Sequence, residues 1–253
     1  MKIKVICLNL WQGGNLLGGI LKFLKAENAD VLFLQEVYNA NDPKLPAKYR
    51  SIDVLQAELN YPYYDFAPAV LDKFPQAKVQ GGNAIFSRFP IMTGKSLFFS
   101  EPYGERDLFD PKGFSTPPRN LQEVTIKVND KLVNLFNFQG VWDLDGDNYS
   151  PERRHMSQVI IEAIANKSNV ILAGDTNARP TNKAIIEIEA HLTSVFAHEL
   201  QTSFNMRRKD NPGYATSCVD MIFVSPNIKI IKKSCPNIDI SDHLPLVATL
   251  DIK

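Results

Sequence analysis

Short, wholly apolar runs that stop at a polar residue recur along this chain. Val5-Ile6-Cys7-Leu8 runs into Asn9, Val31-Leu32-Phe33-Leu34 into Gln35 and Glu36, and Val170-Ile171-Leu172-Ala173-Gly174 into Asp175 and Asn177. Met221-Ile222-Phe223-Val224 is entered directly from Asp220, and Ser241-Asp242-His243 stands just before Leu244 to Leu250. A continuous apolar run of this length, bounded by polar or Gly positions, reads as a strand buried on both faces. The pattern predicts strands whose polar ends gather at one mouth of a sandwich, where loops present side chains and the sheet below fixes them.

The remaining pattern fills in around these strands. Leu17, Ile20, Leu21 and Leu24 recur at the helical period and predict a helix from about Leu16 to Ala26, so the chain opens as strand, helix, strand. Asn9 and Glu36 share an edge if those strands are parallel neighbours in a right-handed crossover. An amphipathic helix is expected over 51–60, then an aromatic segment at 61–66 and a strand over 83–91 ending in a Pro-marked turn. Residues 96–119 read as a long loop rich in Pro, Gly and aromatics, including Phe98, Phe99, Tyr103, Phe109 and Phe114, packed near the site mouth or capping the core. Runs 122–128 and 133–138 predict a hairpin, and Ser150-Pro151 predicts a helix start running to Ala165. A helix near 182–190, a polar loop through 205–217 and strands at 219–224, 228–233 and 244–252 complete the reading.

Composition narrows the class. The chain has 253 residues, 44% hydrophobic and 22% charged, with no repeat or linker, which predicts one domain over 1–253, a monomer with an ordinary large core. No run is long enough to cross a bilayer and the N-terminus reads as a strand rather than a leader, so a cytoplasmic location is expected. Three scattered Cys argue against a disulfide framework or a zinc site. Lys+Arg and Asp+Glu are equal at 28 each, a balance that lacks the basic footprint of a protein gripping long duplex DNA. Arg207-Arg208-Lys209 and Lys232-Lys233 read as solvated surface.

Taken singly, Asp175-Thr176-Asn177 reads more readily as a turn or cap than as chemistry. The set Asn9, Glu36, Asp175, Asn177, Asp220, Asp242 and His243, each beside an apolar run, changes that. Unpaired carboxylates converging on one rim repel by several kcal/mol at low dielectric unless a cation sits among them, and all-oxygen ligands suit Mg²⁺ or Mn²⁺.

Six segments, in order from residue 8 to 243, resemble the motifs of the endonuclease/exonuclease/phosphatase superfamily, the DNase I-like metal-dependent phosphodiesterases. They are Leu8-Asn9-Leu10-Trp11, Leu34-Gln35-Glu36-Val37, Gly82 to Pro90, Gly174-Asp175-Thr176-Asn177, Val219-Asp220-Met221-Ile222 and Ser241-Asp242-His243. The resemblance implies an α/β fold, a four-layer α/β/β/α sandwich of two packed mixed sheets flanked by helices. It also implies a metal held by Glu36 with Asn9 and Asp242, Asp175 as general base, Asn177 as a phosphate donor, and His243 kept cationic by Asp220. Arg119 could pair with a site carboxylate or the substrate phosphate, or equally be a plain surface Arg; Asn83 could line the mouth, although a turn role is favoured. Gln139 stands where most branches have His, a neutral donor in place of a charged one. The resulting expectation is a Mg²⁺-dependent phosphodiesterase acting by in-line attack of water, most readily on nucleic acid. A lipid or inositol phosphodiesterase or phosphatase, and a binding member weakened by Gln139, are the alternatives.

Overall fold

The computed structural model describes residues 1–99, 101–107, 118–143 and 146–253. Phe109 and Phe114, expected near the mouth, lie outside these residues. In chain order the elements are β1 (Lys2–Asn9), α1 (Leu17–Glu27), β2 (Val31–Asn39), α2 (Ser51–Leu59), β3 (Tyr63–Lys73), β4 (Lys78–Ser87), β5 (Ile91–Phe98) and β6 (Gly104–Asp107). They continue with β7 (Asn120–Val128), β8 (Lys131–Gln139), α3 (Pro151–Ile164), β9 (Val170–Asp175), α4 (Lys183–Glu189), β10 (Thr193–Ser194), β11 (Asp220–Val224), β12 (Ile228–Ser234) and β13 (Leu246–Ile252). One sheet runs β12-β13-β1-β2-β4-β3-β6 and the other β10-β11-β9-β8-β7-β5. Both are mixed: β1 with β2 and β8 with β9 are parallel, whereas β13, β11 and β7 pair antiparallel with their neighbours.

Three apolar layers make the sandwich. Between the sheets, Val5, Cys7, Val31, Phe33 and Ile85 meet Val124, Ile126, Leu135, Ile171 and Ile222. The outer face of the first sheet packs Ile6, Leu8, Leu32 and Leu34 against Ile20 and Leu24 of α1 and Ile52 and Leu55 of α2. The outer face of the second packs Phe136, Phe138, Leu172 and Phe223 against Met156 and Ile160 of α3 and Ile185 of α4. Helix, sheet, sheet, helix is therefore the order, and it explains why the central strands read as unbroken apolar runs: they are covered on both faces. Ser150 caps α3 by accepting from the Arg153 N–H, with Pro151 at the first helical position.

Besides the two-residue β10, three strands were not visible in the pattern. The aromatic segment 61–66 belongs to β3, the strand expected over 83–91 spans Lys78–Ser87 with β5 beginning at Ile91, and the expected loop from 96 contains the end of β5 and all of β6. Positions 91–98 of β5 are mostly exposed on both sides, so no alternation marks them. Phe99 is buried against Phe138, which supports packing rather than a free loop at that point.

Toward the polar end, the apolar interior gives way to a ladder of amides joining the two sheets. Gln35 donates to Asn137 Oδ1 at 2.6 Å, and Asn137 donates to the carbonyls of Leu34 and Ala84 and to Gln122 Oε1. Gln122 donates to Asp65, and Asn83 to Asn120. Such groups are tolerated inside only because each finds a partner, and the directional bonds fix how the sheets sit beneath the site.

Candidate functional site

Sheet register gathers the polar residues. On the second sheet Gln139 of β8 is the direct neighbour of Asp175 of β9, and Asp175 faces Asp220 of β11. Three adjacent strands thus deliver a carboxamide and two carboxylates side by side. The close approach needs Gly174, where a Cβ would come within 2.1 Å of the Phe138 carbonyl oxygen. On the first sheet Asn9 closes β1 beside Gln35 of β2. The next residue, Glu36, sits where the β2–β4 register shifts, with φ of 54°. A bulge re-aims a side chain, and a left-handed Glu is strained, so it persists only because its surroundings hold it. They do: the carboxylate accepts from the Gln12 N–H at 2.7 Å, the Asn9 amide at 3.0 Å and the Gln139 amide at 2.9 Å.

Asn9 is the bridge between the sheets, donating both to Glu36 and to Asp175 Oδ2 at 3.0 Å, while its own oxygen accepts from the Trp11 N–H. Asp175 also accepts from the Asn177 N–H, and the Asn177 amide donates to the Gly140 carbonyl, leaving its second amide hydrogen for a ligand. His243 Nδ1 lies 2.8 Å from Asp220 Oδ2. Ser241 ties its loop back to the Asn9 carbonyl at 2.7 Å. Every residue expected at the site except Asn9 and Asp220 lines one cavity of about 890 Å³; those two are buried behind it, Asn9 bonded to Glu36 and Asp175 and Asp220 to His243.

The local electrostatics separates these groups. Burial would raise the Glu36 carboxyl, yet the bonds from Gln12 and Asn9 and the charges of His243 and Arg119 bring it below its ordinary value. Asp175 goes the other way: burial dominates and, with Asp220 and Glu36 nearby, outweighs His243 to raise it. For His243, burial favours the neutral ring, but Asp220, then Asp175 and Asp242, overcome it and lift the imidazole to about 10, so it is a cation at neutral pH.

Four details differ from the sequence reading. Arg119 lines the cavity, but its Nη1 donates to Gln139 Oε1 rather than to a carboxylate, so Gln139 joins a cation on one side to Glu36 and, at 3.5 Å, Asp175 on the other. Asn83 is no turn residue but a buried member of β4 bonded to Asn120. Lys209, expected on a solvated face, pairs with Asp242 at 2.5 Å and lies over the Phe204 and Tyr214 rings. The carboxylates are consequently not bare: Arg119, Lys209 and His243 stand among them, and repulsion alone does not demand a metal. Sequence reasoning also missed Asp72, Arg106, Arg153 and Arg179, all on the cavity wall. Arg153 is almost fully buried and donates to the carbonyls of Gly146, Asn148 and Asn177, pinning the loop before α3 to the Asp175 segment. A charge run or a helix start, read locally, carries no sign of such distant partners.

For a metal, Glu36, Asn9 and Asp242 offer oxygen alone, with Glu36 held anionic, a donor chemistry that fits a hard divalent ion. Among the described residues, Asp175, Asp220 and His243 also bring ligand atoms within 4.8 Å of one another. That trio fits poorly: the Nδ1 of His243 is taken by Asp220 and the ring is cationic, and a protonated imidazole is not a ligand.

Comparison with solved structures places the fold. The chain is similar to an endonuclease/exonuclease/phosphatase from Beutenbergia cavernae DSM 12333, with TM-score 0.76 and 18% identity over 99% of this chain and 72% of that one. It is similar to the Bacteroides thetaiotaomicron VPI-5482 mannosyl-6-phosphatase Bt3783, with TM-score 0.71 and 17% identity over 99% and 100%. It is also similar to D. rerio TDP2 complexed with single strand DNA product, with TM-score 0.68 and 18% identity over 99% of each chain. No curated protein matches the sequence. The Endonuclease/Exonuclease/phosphatase family matches residues 8–243, which contain every residue of the cavity floor, and the chain belongs to that family.

Proposed function

We propose that this protein is a Mg²⁺-dependent phosphodiesterase, with Mn²⁺ as a substitute, that hydrolyses a P–O ester in nucleic acid. The observation that carries the reading is the pairing on one cavity floor of a buried carboxyl of raised pKa, Asp175, with an imidazolium, His243. Asp175 would take the proton of the attacking water, and its raised basicity suits that task. His243 and the second amide hydrogen of Asn177 would donate to the phosphate oxygens as charge builds on them. Glu36, with Asn9 and Asp242, would hold the divalent ion, which when bound supplies positive charge to the phosphate and the leaving oxygen. Asp220 keeps His243 oriented and charged.

Support for nucleic acid comes from the wall. Trp11, Tyr214 and the half-exposed Trp142 stand there with Arg106 and Arg179, rings on which bases can stack beside cations for a backbone. The fold itself serves more than one substrate, since one similar structure holds single strand DNA product and another is a mannosyl-6-phosphatase. A second reading, a binding member of low turnover, is favoured by the neutral Gln139 between Arg119 and Glu36. A Mg²⁺ and Mn²⁺ titration against single-stranded, nicked and abasic DNA, 5′-tyrosyl DNA, sphingomyelin and phosphoinositides separates these. Metal-dependent release from a DNA substrate is expected; release from lipid alone, or tight binding without release, contradicts it.

A further inference from the structure

One wall of the cavity holds opposite charges whose hydrogen-bonding capacity is unfilled. Asp72 of β3 stands directly opposite Arg106 of β6 and lines the cavity with Arg119, Tyr38 and Phe74. It is only 3% exposed, and among the described residues its Oδ1 has no hydrogen-bond partner; neither does Nε of Arg119. Burial lifts the Asp72 carboxyl to about 6, against the pull of Arg119 and Arg106, so it is largely anionic at neutral pH. An unmet buried acceptor and donor on one wall form a site in which a ligand's polar edge is worth more than it would be in water. Rotation about the broad terminal torsion of Asp turns either oxygen toward the cavity. Gly81 keeps this corner open, since a Cβ there would crowd Tyr38 Cε1 at 3.2 Å and Asp72 Oδ2 at 3.3 Å.

We propose that Asp72 and Arg119 form a base-reading subsite beside the reaction centre, accepting the amino-bearing edge of a nucleobase such as cytosine. The inference rests on the nucleic-acid reading above. Asp72 accepts from the exocyclic amino group, Arg119 donates to the neighbouring ring nitrogen or carbonyl, and Tyr38 and Phe74 flank the flat ring. Thymine sets a carbonyl oxygen where cytosine has its amino group, and that oxygen would face the carboxylate.

The test compares short oligo-dC with oligo-dT on the same protein, in Mg²⁺, with calorimetric binding of dCMP and dTMP in EDTA beside it. A preference for cytosine of about tenfold or more in kcat/KM is expected, the worth of one hydrogen bond to a charged group. In Asp72→Asn, whose amide can both accept and donate, the ratio should fall to within about threefold. A merely structural role would lower both rates and leave their ratio unchanged. Equal rates and equal binding in the wild type overturn the subsite while leaving the phosphodiesterase standing. A cytosine preference in binding with no turnover of any diester keeps the subsite and sinks the hydrolase. Faster turnover of a hexose 6-phosphate than of either oligonucleotide overturns both.

Discussion

At the scale of single residues, the site works by splitting the pKa values of groups that touch. Asp175 is raised by burial and by Asp220, whereas Glu36 is drawn down by hydrogen bonds from Gln12 and Asn9, so one carboxylate is suited to take a proton and the other to stay charged. Asp175→Asn keeps the shape and removes the carboxylate proposed as the base, and turnover should fall by about 100-fold or more in a steady-state assay. A near-normal rate would remove that role. His243 titrates near 10 against an ordinary value of about 6.5, because Asp220 outweighs burial. Since the folded pKa is the higher, the stability from this pair is complete below about pH 6.5 and is lost as pH rises through about 10. Denaturation of the metal-free protein should therefore find Asp220→Asn less stable than wild type at neutral pH, with the gap narrowing as pH rises from about 6.5 and closed above about 10. A gap independent of pH would mean that Asp220 acts by packing alone. Gln139 links Arg119 to Glu36, so a positive charge already stands one bond behind the position. Gln139→His should then change turnover less than tenfold, and a gain of a hundredfold or more would mark the native chain as impaired.

At the scale of elements, the amide ladder and the close strand approach decide whether those residues meet. Asn137 bonds to two carbonyls and two amides across both sheets, and Asn137→Ala should cost about 2–4 kcal/mol in urea denaturation by stranding buried partners. Gly174→Ala drives a methyl against the Phe138 carbonyl and should destabilise by about 1–3 kcal/mol while also pushing Asp175 away from Gln139. The doubly covered strands β1, β2, β9 and β11 were legible because burial on both faces writes an unbroken apolar run that ends where the rim begins. The strands β3, β5 and β6 lie toward sheet edges, where exposure on one or both faces erases that mark. For the same reason the chemistry on those edges, Asp72 and Arg106, went unread, while Asp175 and His243 announced themselves. Lys209 was misread because its partner Asp242 is 33 positions away, and a local charge run carries no trace of it.

For the molecule as a whole, two sheets held face to face by an apolar layer support a cavity whose carboxylates are largely answered by protein cations. The chain carries no net charge, and with Arg153 of the wall taken up by backbone carbonyls, Arg106, Arg119, Arg179 and Lys209 are few cations for a nucleic-acid backbone, so single-stranded DNA binding should depend weakly on salt. A log-log slope of roughly −1 to −2 is expected for the two or so phosphates such a wall can neutralise. The central claim, that the floor of this cavity performs metal-dependent hydrolysis with Asp175 as its base, is tested most directly by one paired assay. Product release from a short single-stranded DNA is followed in Mg²⁺ and in EDTA, for wild type and Asp175→Asn. The account predicts turnover only in wild type with the metal, and full activity in EDTA or in the variant would contradict it.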